Sequence, residues 1–230
     1  MTEATKKSEQ TRERILEAAL KLFQQRGFSE TTMRDIAKEA GVALGAAYYY
    51  FASKDAIVMA FYERAQLEWM PQAEKALSNS KDARVRLGAI VDAKFKYFAP
   101  HRRLLSSLSA HVDPQHPLSP FSEQTRHIRD KDIGFMSKAL EGAKIKVATD
   151  LRFYMPRLLW LYQLGLILFW IYDRSPQQRK TRQLFEKSLA IIVGLIRLSA
   201  FPLLRPIRKL ATGLIEIVYE DEEVAVGGAL

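Results

Sequence analysis

A chain of 230 residues is long enough for one large domain or two small ones with a real core. Its hydrophobic content of 48% is ordinary for a soluble globular protein, and the absence of cysteine excludes disulfides and thiolate metal sites and fits a reducing compartment. The formal net charge of +9 invites a nucleic-acid partner, but the basic excess lies late in the chain, between Lys144 and Lys209, so charge alone argues weakly for DNA.

The opening "MTEATKKSEQTRERIL" lacks an apolar core, so no secretory signal is expected. Ile15, Leu16, Ala19, Leu20 and Phe23 then form one helical stripe, stopped at Gly27. Thr32 with Asp35 has the spacing of a capping box and opens a second helix, whose Met33, Ile36, Ala37 and Ala40 share a face and which ends at Gly41. Residues 42–51 make a third short helix. Ser53 caps a long amphipathic helix from Lys54 to about Leu77. Further helices are predicted over 82–98, 104–112, 121–147, 151–172, 177–199 and 203–219, with the proline-rich "DPQHPLSP" as a loop. Residues 221–230 read as a disordered tail. The apolar run 158–172 is shorter than the ~20 residues of a membrane span and contains Gln163, which favours a core or interface helix. No strand pattern appears. The expected fold is all-α: an N-terminal domain of three helices over residues 1–55, then a larger helical bundle over 56–220.

The stretch "AGVALGAAYYYFASKD" carries the chemistry. Two helices joined by a tight glycine turn form a helix-turn-helix, whose second helix enters the major groove. Leu44, Gly45 and Ala46 add almost no bulk, so the helix end can sit deep there. Ala47 and Phe51 should pack inward and Tyr50 be half-buried. Tyr48 and Tyr49 are left at the groove rim, where a phenol can donate to phosphate. Lys54 and Thr32, at two helix starts, are further phosphate candidates. Arg34 is the candidate for a polar base contact, because Leu44 and Ala46 offer little beyond contact with a thymine methyl. Part of the specificity is therefore expected from DNA shape and half-site spacing.

The segment "TTMRDIAKEAGVALGAAYYYFASKDAI" resembles the DNA-binding signature of the TetR family of bacterial transcriptional regulators, over roughly residues 10–61. The resemblance implies a cytoplasmic homodimer whose helix-turn-helix DNA-binding domain, residues 1–55, binds a palindromic operator, usually to repress, and which releases it when a small molecule enters the ligand-binding and dimerisation domain, residues 56–220. Two departures stand out. Ala43 replaces a frequent Ser or Thr, a lost N-cap that costs about 1 kcal/mol, and Tyr50 replaces a frequent His.

Beyond Ala60 no motif is recognisable. Aromatic residues on the later helices suit a mostly apolar pocket with few polar groups. The candidate ligand residues are Tyr62, Gln66, Trp69, Phe95, Ser109, His111, Tyr162 and Gln163, with Gln163 the most suggestive because its surroundings are apolar. The effector is expected to be hydrophobic or anionic. His111, Asp113 and His116 stand close together, but a proline-rich loop is a poor zinc frame, so no metal is expected. No cofactor motif and no catalytic constellation is present, and no enzymatic activity is expected. Helices 151–172 and 177–199 are apolar around too much of their circumference for a monomer and are the expected dimer interface. The alternative reading is a dimeric ligand-binding or membrane-surface protein whose basic C-terminal half meets anionic lipid or metabolite.

Overall fold

The computed structural model describes residues 3–227, with side-chain surroundings for residues 5–217. Helices and turns account for all regular structure among them.

Helix α1 (Glu3–Gln25) buries Ile15, Leu16, Ala19, Leu20 and Phe23 along one face. It ends where Gly27 takes φ +101°, a conformation that side-chain-bearing residues avoid. Helix α2 (Met33–Glu39) starts with a complete capping box: the Thr32 hydroxyl accepts from the Asp35 N–H at 3.2 Å, and the Thr32 N–H donates to the Asp35 carboxylate at 3.0 Å. It closes in a Schellman turn. Gly41, at φ +64°, donates to Lys38 O at 3.2 Å, and Val42 donates to Ala37 O at 3.0 Å. Helix α3 (Leu44–Tyr50) begins after one further residue, Ala43, which lies four residues beyond the end of α2. The Ser53 hydroxyl then caps α4 (Lys54–Asn79) by accepting from Ala56 N–H at 3.2 Å.

These elements share one core, with Phe23, Ile36, Ala47, Phe51, Ile57 and Phe61 buried together. Each fully buried large side chain contributes roughly 1.5–3 kcal/mol. The expected domain boundary after residue 55 falls in the first turn of α4. The core runs across it to Phe61 and recruits Leu104, Leu108 and Leu118 from later in the chain.

A second core joins the latter half of α4 to α5 (Ala83–Phe98), α7 (Arg126–Glu141), α8 (Tyr154–Tyr172) and α9 (Arg179–Ser199). Between α5 and α7 lies the short α6 (Arg102–Leu108). Buried Arg86 of α5 ties this core together. Its guanidinium donates to the carbonyls of Ala139 at 2.7 Å, Lys138 at 2.8 Å and Ser80 at 2.9 Å, and also to Leu77. One cation thereby bonds carbonyls at the C-terminal ends of both α4 and α7, where helix dipoles also favour positive charge. Gly142 makes room for it: a Cβ there would come within 2.1 Å of the guanidinium.

Several boundaries differ from the sequence reading. The helix expected over 121–147 is confined to Arg126–Glu141. Before it, the hydroxyls of Ser119, Ser122 and Thr125 hold a compact turn; the Thr125 hydroxyl donates to Ser119 O at 2.6 Å. Such local hydrogen bonds compete with helix. The 104–112 helix is shifted to Arg102–Leu108. Helix α10 (Arg205–Gly227) extends into the segment expected to be a disordered tail, and residues 228–230 lie outside the described residues. Helix α8 has the length and apolarity of a membrane span, but 44% of it is buried in the bundle.

Candidate DNA-binding surface and ligand cavity

Helix α3 separates its residues by register. Ala47 and Phe51, four apart, face the core, and the Arg12 guanidinium covers the Phe51 ring at 4.9 Å. Tyr48 and Tyr49 point away from the core, with relative exposures of 49% and 81%. Tyr50 is half-buried, edge-on to Tyr49 at 5.2 Å and within 3.2 Å of the Ser8 hydroxyl on α1. Ala43 occupies the N-cap position with extended backbone and no side-chain hydrogen bond. Ala43 and Gly45 are exposed, Leu44 and Ala46 partly so, and an added Cβ at Gly45 would meet nothing within 4 Å. Arg34 is exposed on α2 and Thr32 is exposed at its start. The Thr32 hydrogen bonds hold the Asp35 carboxyl below its usual range.

Lys54 departs from the expectation of a free phosphate ligand. Its ammonium donates to Phe28 O at 2.6 Å and Ser29 O at 3.4 Å and lies 4.6 Å from the Phe28 ring centre. The reason is geometric: the first turn of α4 packs beside the α1–α2 turn, whose carbonyls have no helical partners. Lys54 therefore braces the unit.

A cavity of about 360 Å3 lies between α4, α5, α6, α7, α8 and the loop after α6. Six of the eight expected ligand residues line it: Tyr62, Gln66, Trp69, Ser109, His111 and Gln163. Burial pushes the Tyr62 phenol up and the His111 imidazole down, which favours the neutral form of each. The Ser109 hydroxyl donates to Ser106 O at 2.8 Å and meets the Tyr172 hydroxyl at 2.9 Å.

Phe95 and Tyr162 do not line the cavity. Phe95 is one residue past Lys94 on α5, so it turns about 100° away and stacks on Trp170 at 5.2 Å. Tyr162, one residue before Gln163, turns toward α9, where its hydroxyl meets that of Ser188 at 2.6 Å.

Three charged residues in the wall were missed in the sequence. Lys94 bonds Asp132 at 2.5 Å and lies 4.5 Å from the Trp69 ring centre, and Arg129 donates to Pro120 O at 3.0 Å and Ser122 O at 3.2 Å. A signal existed: Lys94 takes the next inward position after Leu87 and Ile90, and Asp132 does so between Arg129 and Met136. The His111 and His116 rings stack at 3.8 Å, and among the described residues no three ligating side chains gather as a metal site. Among the described residues, none of helix α10 lines the cavity.

A glycine-turned helix pair with a bare, outward second helix, fused to a bundle that carries a cavity, is the architecture of a helix-turn-helix DNA-binding regulator. Comparison with known proteins narrows the class. Residues 15–61 match the family model "Bacterial regulatory proteins, tetR family", and residues 86–214, more than half of the chain, match "Tetracyclin repressor-like, C-terminal domain". The chain belongs to the TetR family of transcriptional regulators.

Among curated relatives, the Bacillus subtilis regulator YvdT is 30% identical over 93 residues, covering 40% of this chain and 48% of the relative. YerO of the same organism is 32% identical over 94 residues, covering 40% of this chain and 32% of the relative. The chain thus spans about half or less of these two proteins. The fatty acid metabolism regulator protein of B. subtilis is 22% identical over 143 residues, covering 60% and 72%. Of the solved structures, a TetR regulator of Nitrosomonas europaea superposes with a TM-score of 0.61 at 20% identity, covering 79% of this chain and 97% of its own. The fatty acid degradation regulator FadR of Bacillus halodurans gives 0.60 at 15% identity, covering 81% and 96%. At these identities the likeness is one of fold.

Proposed function

We propose that the chain is a cytoplasmic homodimeric repressor that holds a palindromic operator with α2 and α3 of each protomer and releases it when a small, largely apolar molecule enters the cavity. The observation that carries this reading is the position of α6. On one side its Leu105 and Leu108 line the cavity, together with Ser109 just beyond it. On the other, Arg103 grips the end of α1, donating to Gln25 O at 2.6 Å, Gln24 O at 3.2 Å and Arg26 O at 3.3 Å. A molecule that displaces α6 displaces α1, and with it the α2–α3 pair packed on α1. Bistable packing of this kind converts small shifts into rearrangements.

Two exposed features support the partners. Tyr48 and Tyr49 stand free to donate to phosphates, with Thr32 and Arg34 alongside on α2. Lys54 acts by bracing the α1–α2 turn beneath them. Leu168, Phe169 and Tyr172 on α8, with Leu184, Ile191, Leu195 and Leu198 on α9, leave a large apolar surface exposed in a single protomer. A four-helix dimer interface built from α8 and α9 of two protomers would cover it.

The test is a shift assay on a palindromic fragment upstream of the chain's own coding region. The double variant Tyr48→Ala/Tyr49→Ala should lose about tenfold or more in affinity, as expected for a few lost phosphate contacts, with its thermal midpoint unchanged. Binding equal to the parent would remove the tyrosines from the interface.

A further inference from the structure

We infer that the effector is a neutral, mostly apolar molecule carrying a hydrogen-bond donor beside an acceptor, as in a carboxamide, and that Gln163 is the residue that recognises it. This rests on the proposed reading of the cavity as the effector site.

The amide of Gln163 projects from α8 into the cavity, the side chain is only 1% exposed, and both Oε1 and Nε2 lack a hydrogen-bond partner. Across the cavity, Gln66 has a buried Oε1 that is likewise unpartnered, while its Nε2 donates to Ile128 O at 2.7 Å and Asp132 Oδ1 at 3.3 Å. A leucine or methionine at position 163 would pack without the penalty of unpaired polar atoms, so an amide there demands a partner. The complement of an amide is one acceptor next to one donor.

Much of the charge in the wall is already partnered within the protein. Lys94 and Asp132 neutralise each other at 2.5 Å. Arg129 directs one amino group to the carbonyls of Pro120 and Ser122, where it holds the turn before α7. Burial lowers the His111 imidazole from its usual value and so disfavours its charged form. The rest of the surface is apolar, with Trp69, Leu105, Leu108, Trp160 and Ile167 among its walls. Such a cavity offers a carboxylate one cation, Arg129, that is already bonded to two carbonyls, and it holds a hydrocarbon without orienting it, whereas the two open atoms of Gln163 match a carboxamide.

Three probes of nearly one shape separate these cases in isothermal titrations of the full chain: 2-naphthamide, 2-naphthoate and 2-ethylnaphthalene. The parent should bind the amide roughly tenfold more tightly than either of the others, the size of one or two net hydrogen bonds. In Gln163→Met, close in shape, the preference for amide over hydrocarbon should vanish, and the unliganded thermal midpoint should rise because two unpaired polar atoms are removed. Gln163→Leu serves as a second variant with the same expectation. Tightest binding of the naphthoate, a preference that survives in both variants, or a lower midpoint in both would overturn the inference. Equal binding of all three probes would overturn it too, while leaving the cavity a ligand site. No binding of any probe would overturn the cavity reading itself.

Discussion

The helix-turn-helix unit and the bundle differ in how far apart in the chain their working residues lie. Between Thr32 and Phe51, inward and outward positions alternate within a few residues, and each turn is closed by its own local chemistry: a capping box, a left-handed glycine, a Schellman pair. In the bundle, the cavity wall brings Gln66, Lys94, Asp132 and Gln163 together from four helices. The turns of the first unit are closed by short-range contacts that leave one surface free. The second depends on buried polar groups whose partners come from distant segments. Changes in the two should therefore fail in different ways.

The largest effect belongs to the bundle. Arg86→Ala removes the cation that satisfies carbonyls at the ends of two helices, and should cost about 3–5 kcal/mol, the range for breaking a buried charged network. Chemical denaturation of the parent and variant would measure it. A loss below about 1 kcal/mol would show that water replaces the guanidinium and that the bundle is less dependent on buried polar contacts than the geometry implies.

A smaller effect, of opposite sign, belongs to the reader. Ala43→Ser restores a side-chain acceptor at an N-cap whose backbone is already extended, and should stabilise by about 1 kcal/mol. Hydrogen exchange at the amides of Gly45 and Ala46 would report it locally. Operator affinity would separate stability from reading, since the new hydroxyl sits beside the surface proposed to face DNA.

The smallest effect is a pH dependence of the capping box. The Asp35 carboxyl is held below its usual value by the Thr32 hydrogen bonds, so its contribution is complete above the ordinary aspartate range near pH ~4 and is lost as pH falls through the lower folded value. The amide signals of α2 should therefore weaken on acidification below that range. In Thr32→Val they should lose this pH dependence. If the parent and the variant titrate alike, the box adds nothing to the local character of this unit.

How much could be read beforehand follows the same division. The stripe in α1, the Thr32 cap, the Gly41 stop and the Ser53 cap were all readable, because each is a signal confined to a few neighbouring residues. Gln163 could be picked out because a lone amide in an apolar helix is anomalous wherever that helix packs. Phe95 and Tyr162 were misplaced because composition alone does not give rotation about a helix axis, and one residue moves a side chain by about 100°. The start of α7 was misjudged because the hydroxyls of Ser119, Ser122 and Thr125 prefer one another and the local backbone to helix.

Local order along the chain determined that this protein carries a helix-turn-helix with a bare reading helix, since caps, glycine turns and a 3.6-residue stripe act between neighbours. Only the packed structure decided that Lys54 turns inward to the carbonyls of Phe28 and Ser29, that Lys94 finds Asp132, and that Gln163 is left without a partner. Whether a polar group is satisfied depends on atoms brought near it by folding, and those atoms lie far off in the chain.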